Sequence, residues 1–406
     1  MAHFKGASMT YRSALPLLML MVVFSPLAID IFLPALPLIA DEFTVSLSQT
    51  QWSIGAFLLS MGAGQLLCGP MADKYGRRPI AITGALIYGL SSLLAAQSSN
   101  LESFLLLRVI QGFGACAIVV AAFASVRDRF NPMQSGIMYS YLSSVICCVP
   151  AIAPLLGNVL TEQFGWRSNF EAMAIYGVVA GGLIIWGFPE TKPVRQSASV
   201  KFISMSQFLP IIKHPVFLFN ALVNTLAMAI ILAYVSSSPA WIMVHLEHSQ
   251  HTFVWWFSAN AIVSIVAYFF TPKVLLKLGP RKTIGLGMFT LLASGLMMLL
   301  LIGWLNVAAF MLPVMLSSIG ISLVMGCCAG QALSPFGDNA GTASALLGFL
   351  QMSGAAVLVA LLQLLPMSIP MQFGCLAMTL IPVLLLWQQP RMKQVLYETS
   401  YTNYIN

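Results

Sequence analysis

Apolar runs of about 18 residues or more recur along the whole of this chain, each long enough to cross a hydrocarbon core of about 30 Å. They lie near 14–40, 51–72, 79–97, 101–125, 136–160 and 168–188, then near 215–237, 253–272, 283–304, 306–330, 340–365 and 370–388. Backbone polar groups find no water in lipid, so such runs must close their hydrogen bonds internally as helices. Of the 406 residues, 59% are hydrophobic and 8% charged, against roughly 25% charged in an ordinary soluble domain. The expected fold is an all-α membrane protein with twelve transmembrane helices in two pseudo-symmetric six-helix bundles, leaving no soluble domain.

The net charge of +7 invites a nucleic-acid partner, but its placement argues otherwise. With a cytoplasmic N-terminus, every Lys and Arg except Arg108 and Arg167 falls in an inner loop, linker or tail. That asymmetry is the positive-inside rule and predicts cytoplasmic termini. The basic balance therefore reports topology, and no nucleic-acid partner is expected. The seven cysteines lie within the runs without disulfide or zinc spacing, so no cofactor or metal is expected. The first run lacks a convincing signal-cleavage site and reads as a retained helix. Met9 is an alternative start.

Between Pro189 and Pro215 the apolar pattern lapses. This divides the chain into an N-terminal bundle (1–188), a cytoplasmic linker (189–214), a C-terminal bundle (215–390) and a cytoplasmic tail (391–406). Within the linker, Phe202, Ile203, Met205, Phe208, Leu209, Ile211 and Ile212 suit an amphipathic helix lying on the membrane surface. A loose connector is the alternative.

Between the second and third runs stands Gly69-Pro70-Met71-Ala72-Asp73-Lys74-Tyr75-Gly76-Arg77-Arg78. So short a loop forces a tight antiparallel pair. The pattern Gly-x-x-x-Asp-x-x-Gly-Arg-Arg resembles the helix 2–3 signature of the major facilitator superfamily of transporters. The loop 273–282 is a degenerate second copy: it keeps Gly279, Arg281 and Lys282 but has Leu276 in place of Asp73. Duplicated transporters commonly bind substrate between their repeats near the bilayer midplane.

Twelve acids are few enough to place one by one, and only Asp30 lies well inside a run. A charge at mid-bilayer costs at least about 2.5–3.5 kcal/mol, so it faces a cavity or a partner. An acid whose surroundings alternate can load and unload a proton; the alternative is a structural Asp bonded to a neighbouring helix. Arg108 is the only base inside a run, at a similar depth, and pairing with Asp30 would relieve both charges. The stretch Arg108-Val-Ile-Gln111-Gly112-Phe-Gly114 resembles the superfamily's helix 4 signature, which implies a role for Arg108 in proton coupling. An inert salt bridge is the competing reading.

Pro150-Ala151-Ile152-Ala153-Pro154-Leu155-Leu156-Gly157 resembles the antiporter signature of drug exporters, with Ala153 and Asn158 replacing its outer glycines. Helix 1 residues Ala28 to Pro37 and helix 11 residues Ala340 to Gln351 together look like the bicyclomycin and chloramphenicol resistance (Bcr/CflA) branch of drug:proton antiporters. Val22 stands where some multidrug relatives carry a second acid.

The resemblance implies proton-coupled export of small lipophilic compounds, antibiotics among them, across a bacterial inner membrane by a monomer in the lipid bilayer. It also implies that Gly69, Asp73, Gly76, Arg77, Arg78 and Asp128 form a conformational latch joined to the start of helix 11, where Asp338 and Asn339 suit a cap. Tyr139, Asn220, Asn224, Tyr234, Trp256, Asn260, Gln331 and Gln351 are candidates to line a substrate cavity or to hold helices together. Export of one endogenous metabolite or siderophore is the alternative function. An enzyme would need clustered catalytic side chains, which the sequence does not show. His245, Glu247, His248 and His251 crowd one outer loop, as a metal or pH site or simply as a solvated loop.

Overall fold

A computed structural model describes residues 11–130, 132–192, 205–336 and 340–388. Among these, eleven helices are long and apolar enough to cross a membrane. One of them, Gln250–Leu300, has 51 residues; at 1.5 Å per residue that is about 77 Å, far more than one crossing needs. Gly279 breaks it, with φ 76° and ψ 164°. Twelve crossings result.

In chain order these are α1 (Leu15–Glu42), α2 (Leu47–Tyr75), α3 (Arg77–Ala96), α4 (Leu101–Arg129), α5 (Pro132–Phe164) and α6 (Arg167–Gly187). Then come α7 (Pro215–His245), α8 (250–278), α9 (280–300), α10 (Val307–Leu333), α11 (Thr342–Gln363) and α12 (Ile369–Trp387).

The two sets of six repeat one another in their caps. Ser46 and Ser249 cap α2 and α8, and Asn100 and Asn306 cap α4 and α10. Each accepts a first-turn backbone N–H that would otherwise lack a partner in the helix. Gly76 and Gly279 then reverse the chain after α2 and α8 in the same conformation, with φ 107° and 76°. That region is one L-residues with a Cβ rarely adopt. The two sets meet along α2 with α11 and α5 with α8. Ser353 donates to the Leu59 carbonyl at 2.9 Å, Gln363 to Gln51 at 3.1 Å, and Ser258 to the Ala151 carbonyl at 3.1 Å.

The short helix Met205–Ile212 buries Phe208 and Ile211 against Phe217, Ala332, Leu346 and Leu347. Leu209 and Ile212 face away. Its apolar stripe thus packs on protein, where the sequence suggested a membrane-surface helix. Phe202 and Ile203 lie outside the described residues, as do Asp338 and Asn339.

Candidate functional site

Helix α1 stops at Asp30, makes a short 3-10 turn over Leu33–Ala35 and resumes at Leu36. Pro34 supplies the cause: it lacks an N–H and disfavours helical geometry in the residue before it. In an unbroken helix Phe32 would bond the Ala28 carbonyl, but Phe32 has left the helix. Arg108 takes that carbonyl instead, through Nη2 at 2.9 Å. Its Nε reaches the Ser53 carbonyl at 3.3 Å, and Nη1 bonds Gln111 Oε1. Gln111 in turn donates to Ser92 Oγ at 2.6 Å. The fully buried guanidinium also lies 4.8 Å from the Phe32 ring and 4.6 Å from Phe57.

Arg108 therefore does not pair with Asp30. Among the described residues no hydrogen bond or ion pair reaches the Asp30 carboxylate. The expected pairing fails because the helix break offers, two residues before Asp30, a free carbonyl that a rigid, forked donor fits.

Asp30 is 4% exposed, and the 3-10 turn beyond it packs against α5, α7 and α8. Gly157 makes the α5 contact possible: a Cβ there would overlap the Ile31 carbonyl oxygen. Ala153, Pro154, Gly157 and Asn158 form one buried stripe on α5. Pro150, a turn earlier, is half-buried.

From the second bundle, Tyr234 lies beside Asn260 and near Asp30. Its ring stacks on Phe257 at 5.3 Å, and its hydroxyl is buried. Asn260 accepts from Ser318 at 2.9 Å, fixing α8 to α10. Asn224 donates to Gln351 at 3.1 Å across α7 and α11, where α11 loosens into a π-helical turn over Leu350–Gly354. Such turns are frequent at functional sites.

No hydrogen bond among the described residues joins the remaining cavity candidates to this group. Asn220 bonds the Val216 carbonyl of its own helix at 2.8 Å, and Gln331 lies near the end of α10. Trp256 is half-buried against the core. The Tyr139 side chain is outside the described residues.

The loop between α2 and α3 gathers a second group. Arg77, fully buried, holds Asp128 at 2.8 Å and Asp73 at 2.7 Å. Arg78 Nη2 donates to the Ile185 carbonyl at 2.6 Å. Glu190, just past α6, was not singled out from sequence, yet it organises the loop. Its carboxylate accepts from the backbone N–H of Arg77 at 2.8 Å and of Arg78 at 3.3 Å, at the positive end of α3. A Cβ on Gly76 would strike Glu190, so this glycine is required twice over. Gly69 is not constrained in this way: a Cβ there meets nothing within 4 Å. The signal for Glu190 was an acid directly after a helix end, among bases.

The clustered histidines do not converge. His245 stacks on Trp241 at 4.2 Å, while His251 meets Glu162 at 3.1 Å.

Twelve crossings with a repeated loop, and a buried acid at a helix break between the repeats, define a multi-pass membrane transporter rather than an enzyme. Residues 18–359 match the Major Facilitator Superfamily, and the chain belongs to it. It is 32% identical over 381 residues to the multidrug resistance protein MdtL of Shewanella sp. (strain ANA-3), covering 92% of this chain and 95% of that one. To MdtL of Klebsiella pneumoniae (strain 342) it is 31% identical, with the same two coverages. Among solved structures, a D-xylose-proton symporter superposes with TM-score 0.75 at 14% identity, over 93% of this chain and 98% of that one. That likeness concerns the fold alone.

Proposed function

We propose that the chain expels chemically varied lipophilic compounds, chloramphenicol- or bicyclomycin-like antibiotics among them, in exchange for protons across the bacterial inner membrane. The basic face, which carries the Gly76 and Gly279 loops and both termini, is then cytoplasmic. The observation that carries this reading is Asp30: a buried acid with no basic partner among the described residues, at a break where α1 meets α5, α7 and α8. Rocking of the two bundles would change its surroundings, and with them its affinity for a proton. Tyr234, Phe257 and Asn260, on the α7 and α8 side of Asp30, would offer a substrate aromatic and polar contacts. Arg108 holds the break in shape, and the Asp73–Arg77–Asp128 group with Glu190 latches one conformation. The names of the MdtL relatives support drug export; a single endogenous metabolite or siderophore is the alternative substrate.

The test is substrate accumulation in inverted vesicles under an imposed pH gradient. Asp30→Asn should bind substrate but accumulate none, and its binding should release no proton. Full gradient-driven transport by Asp30→Asn would falsify the assignment. Expression in drug-susceptible cells separates the substrates: resistance to several unrelated compounds supports multidrug export, while resistance to none favours the single-metabolite alternative.

A further inference from the structure

The two copies of the loop differ in charge compensation. In the first, Asp73, Asp128 and Glu190 neutralise or cap Arg77 and its neighbours. In the second, Leu276 replaces Asp73. Where Glu190 follows Trp186 and Pro189, Arg391 follows Trp387 and Pro390. From Gln250 to Leu300 there is no acid at all, but there are Lys273, Lys277, Arg281 and Lys282. Lys273, Lys277 and Lys282 are exposed, and among the described residues none of the three forms an ion pair.

Beside these lysines runs an apolar groove of about 460 Å³ between α8, α9 and α10. Its α8 wall extends from Ile262 to Val274, roughly 18 Å at helical rise. Ile262, Val266, Phe270 and Leu286 are each more than 40% exposed along it. The floor is closed where Thr271 Oγ1 donates to Ser322 Oγ at 3.3 Å. Lys273 Nζ lies 5.1 Å above the Phe270 ring that lines the groove. Lys277 continues the helical stripe of Phe270 and Val274, and Lys282 stands one turn from Leu286 on α9, both by i±3/i±4 spacing. All three lysines therefore sit at the loop end of the groove.

We propose that the groove and these lysines form a binding site for an anionic phospholipid, with an acyl chain in the groove and the phosphodiester held by Lys273, Lys277 and Lys282. An apolar channel ending in cations that have no ion-pair partner among the described residues matches a lipid tail joined to an anionic headgroup, and basic pockets between membrane helices bind such headgroups. The site draws from the leaflet that the α8–α9 loop faces. Neither the substrate nor proton coupling enters the argument, so failure here leaves the transport reading untouched.

The experiment is native mass spectrometry of the full chain in detergent. It is titrated with dioleoylphosphatidylglycerol or with dioleoylphosphatidylcholine, which has the same chains. Wild type should retain the anionic lipid preferentially. Each Lys→Gln change should weaken that lipid about 5-fold, and K273Q/K277Q/K282Q about 100-fold, at about 1 kcal/mol per lysine. Lys213→Gln, on the same face but outside the helices of the groove, should change nothing. Val266→Trp, which fills the groove from an exposed position, should reduce retention with the lysines intact, and monodisperse elution checks its folding. Glycerol 3-phosphate should not displace the lipid. Equal retention of the two lipids, a triple variant that binds like wild type, or retention unchanged in Val266→Trp would each overturn the site. So would displacement by glycerol phosphate, or a photo-crosslinker at Val266 that captures a second copy of the chain instead of lipid.

Discussion

Arg108→Lys separates the charge of this residue from its shape. The guanidinium makes three hydrogen bonds, to the Ala28 and Ser53 carbonyls and to Gln111 Oε1, and it packs over Phe32 and Phe57. Lysine brings the same charge on a single point and cannot span all three acceptors. At least one buried acceptor then loses its partner, at about 1–3 kcal/mol. Loss of the flat contact with the rings adds about 1 kcal/mol, for a destabilisation of about 2–4 kcal/mol. The freed Ala28 carbonyl lies two residues before Asp30, so the break should loosen beside the proposed proton carrier. Arg108→Lys should melt at a lower temperature in detergent and export slowly, although no charge has changed. A cycle with Asp30→Asn completes the test: without an ion pair, the stability effects of the two substitutions should nearly add. Wild-type melting and export in Arg108→Lys would sink the anchoring argument. So would a coupling well above 1 kcal/mol between positions 30 and 108, which would indicate a direct charge pair.

Gly157→Ala should destabilise the protein by about 1–3 kcal/mol through overpacking against the Ile31 carbonyl, read as a melting shift and reduced export; an unchanged protein would mean that α5 can move aside freely. Glu190→Gln keeps the shape of the cap but removes a charge worth about 0.3–1 kcal/mol at a helix N-terminus, so export should slow while folding holds, and wild-type rates would reduce Glu190 to a turn residue. Asp73→Asn, which cuts one side of the Arg77 group, should likewise slow export in vesicles without unfolding the chain. Cysteines replacing Ser48 and Ser249 should label from outside intact cells while one at Ser334 does not, and the reverse pattern would invert the proposed orientation.

The crossings were legible in the sequence because lipid leaves the backbone one option, and a run of apolar residues is the whole signal. The break in α1 was half legible. Pro34 and Asp30 were visible, but which group would answer the freed carbonyl depends on how α4 lies against α1. No local pattern encodes that geometry. The same limit explains Glu190: its position after α6 was plain, yet the donors it satisfies belong to α3, more than a hundred residues earlier. The cavity list mixed residues that meet beside Asp30, such as Tyr234 and Asn260, with others that do not, such as Asn220 and Gln331. A polar residue in a membrane helix announces that it needs a partner, not which partner it finds.

The break in α1 links the two bundles in a way that suits alternating access. Its carbonyls face inward to the first bundle: Ala28 to Arg108 and Ile31 to Gly157. Its 3-10 turn meets α7 and α8 of the second. The first set of contacts is polar, close and sensitive to single atoms, so the break should travel with its own bundle. Across to α7 and α8 the turn packs without a hydrogen bond or ion pair to the Asp30 carboxylate among the described residues, so separation there breaks no strong bond. Asp30 sits between a rigid anchor and a loosely held partner. Motion of the second bundle can therefore change the surroundings of the acid while its backbone position holds, and that is what the proposed exchange for protons would require of Asp30.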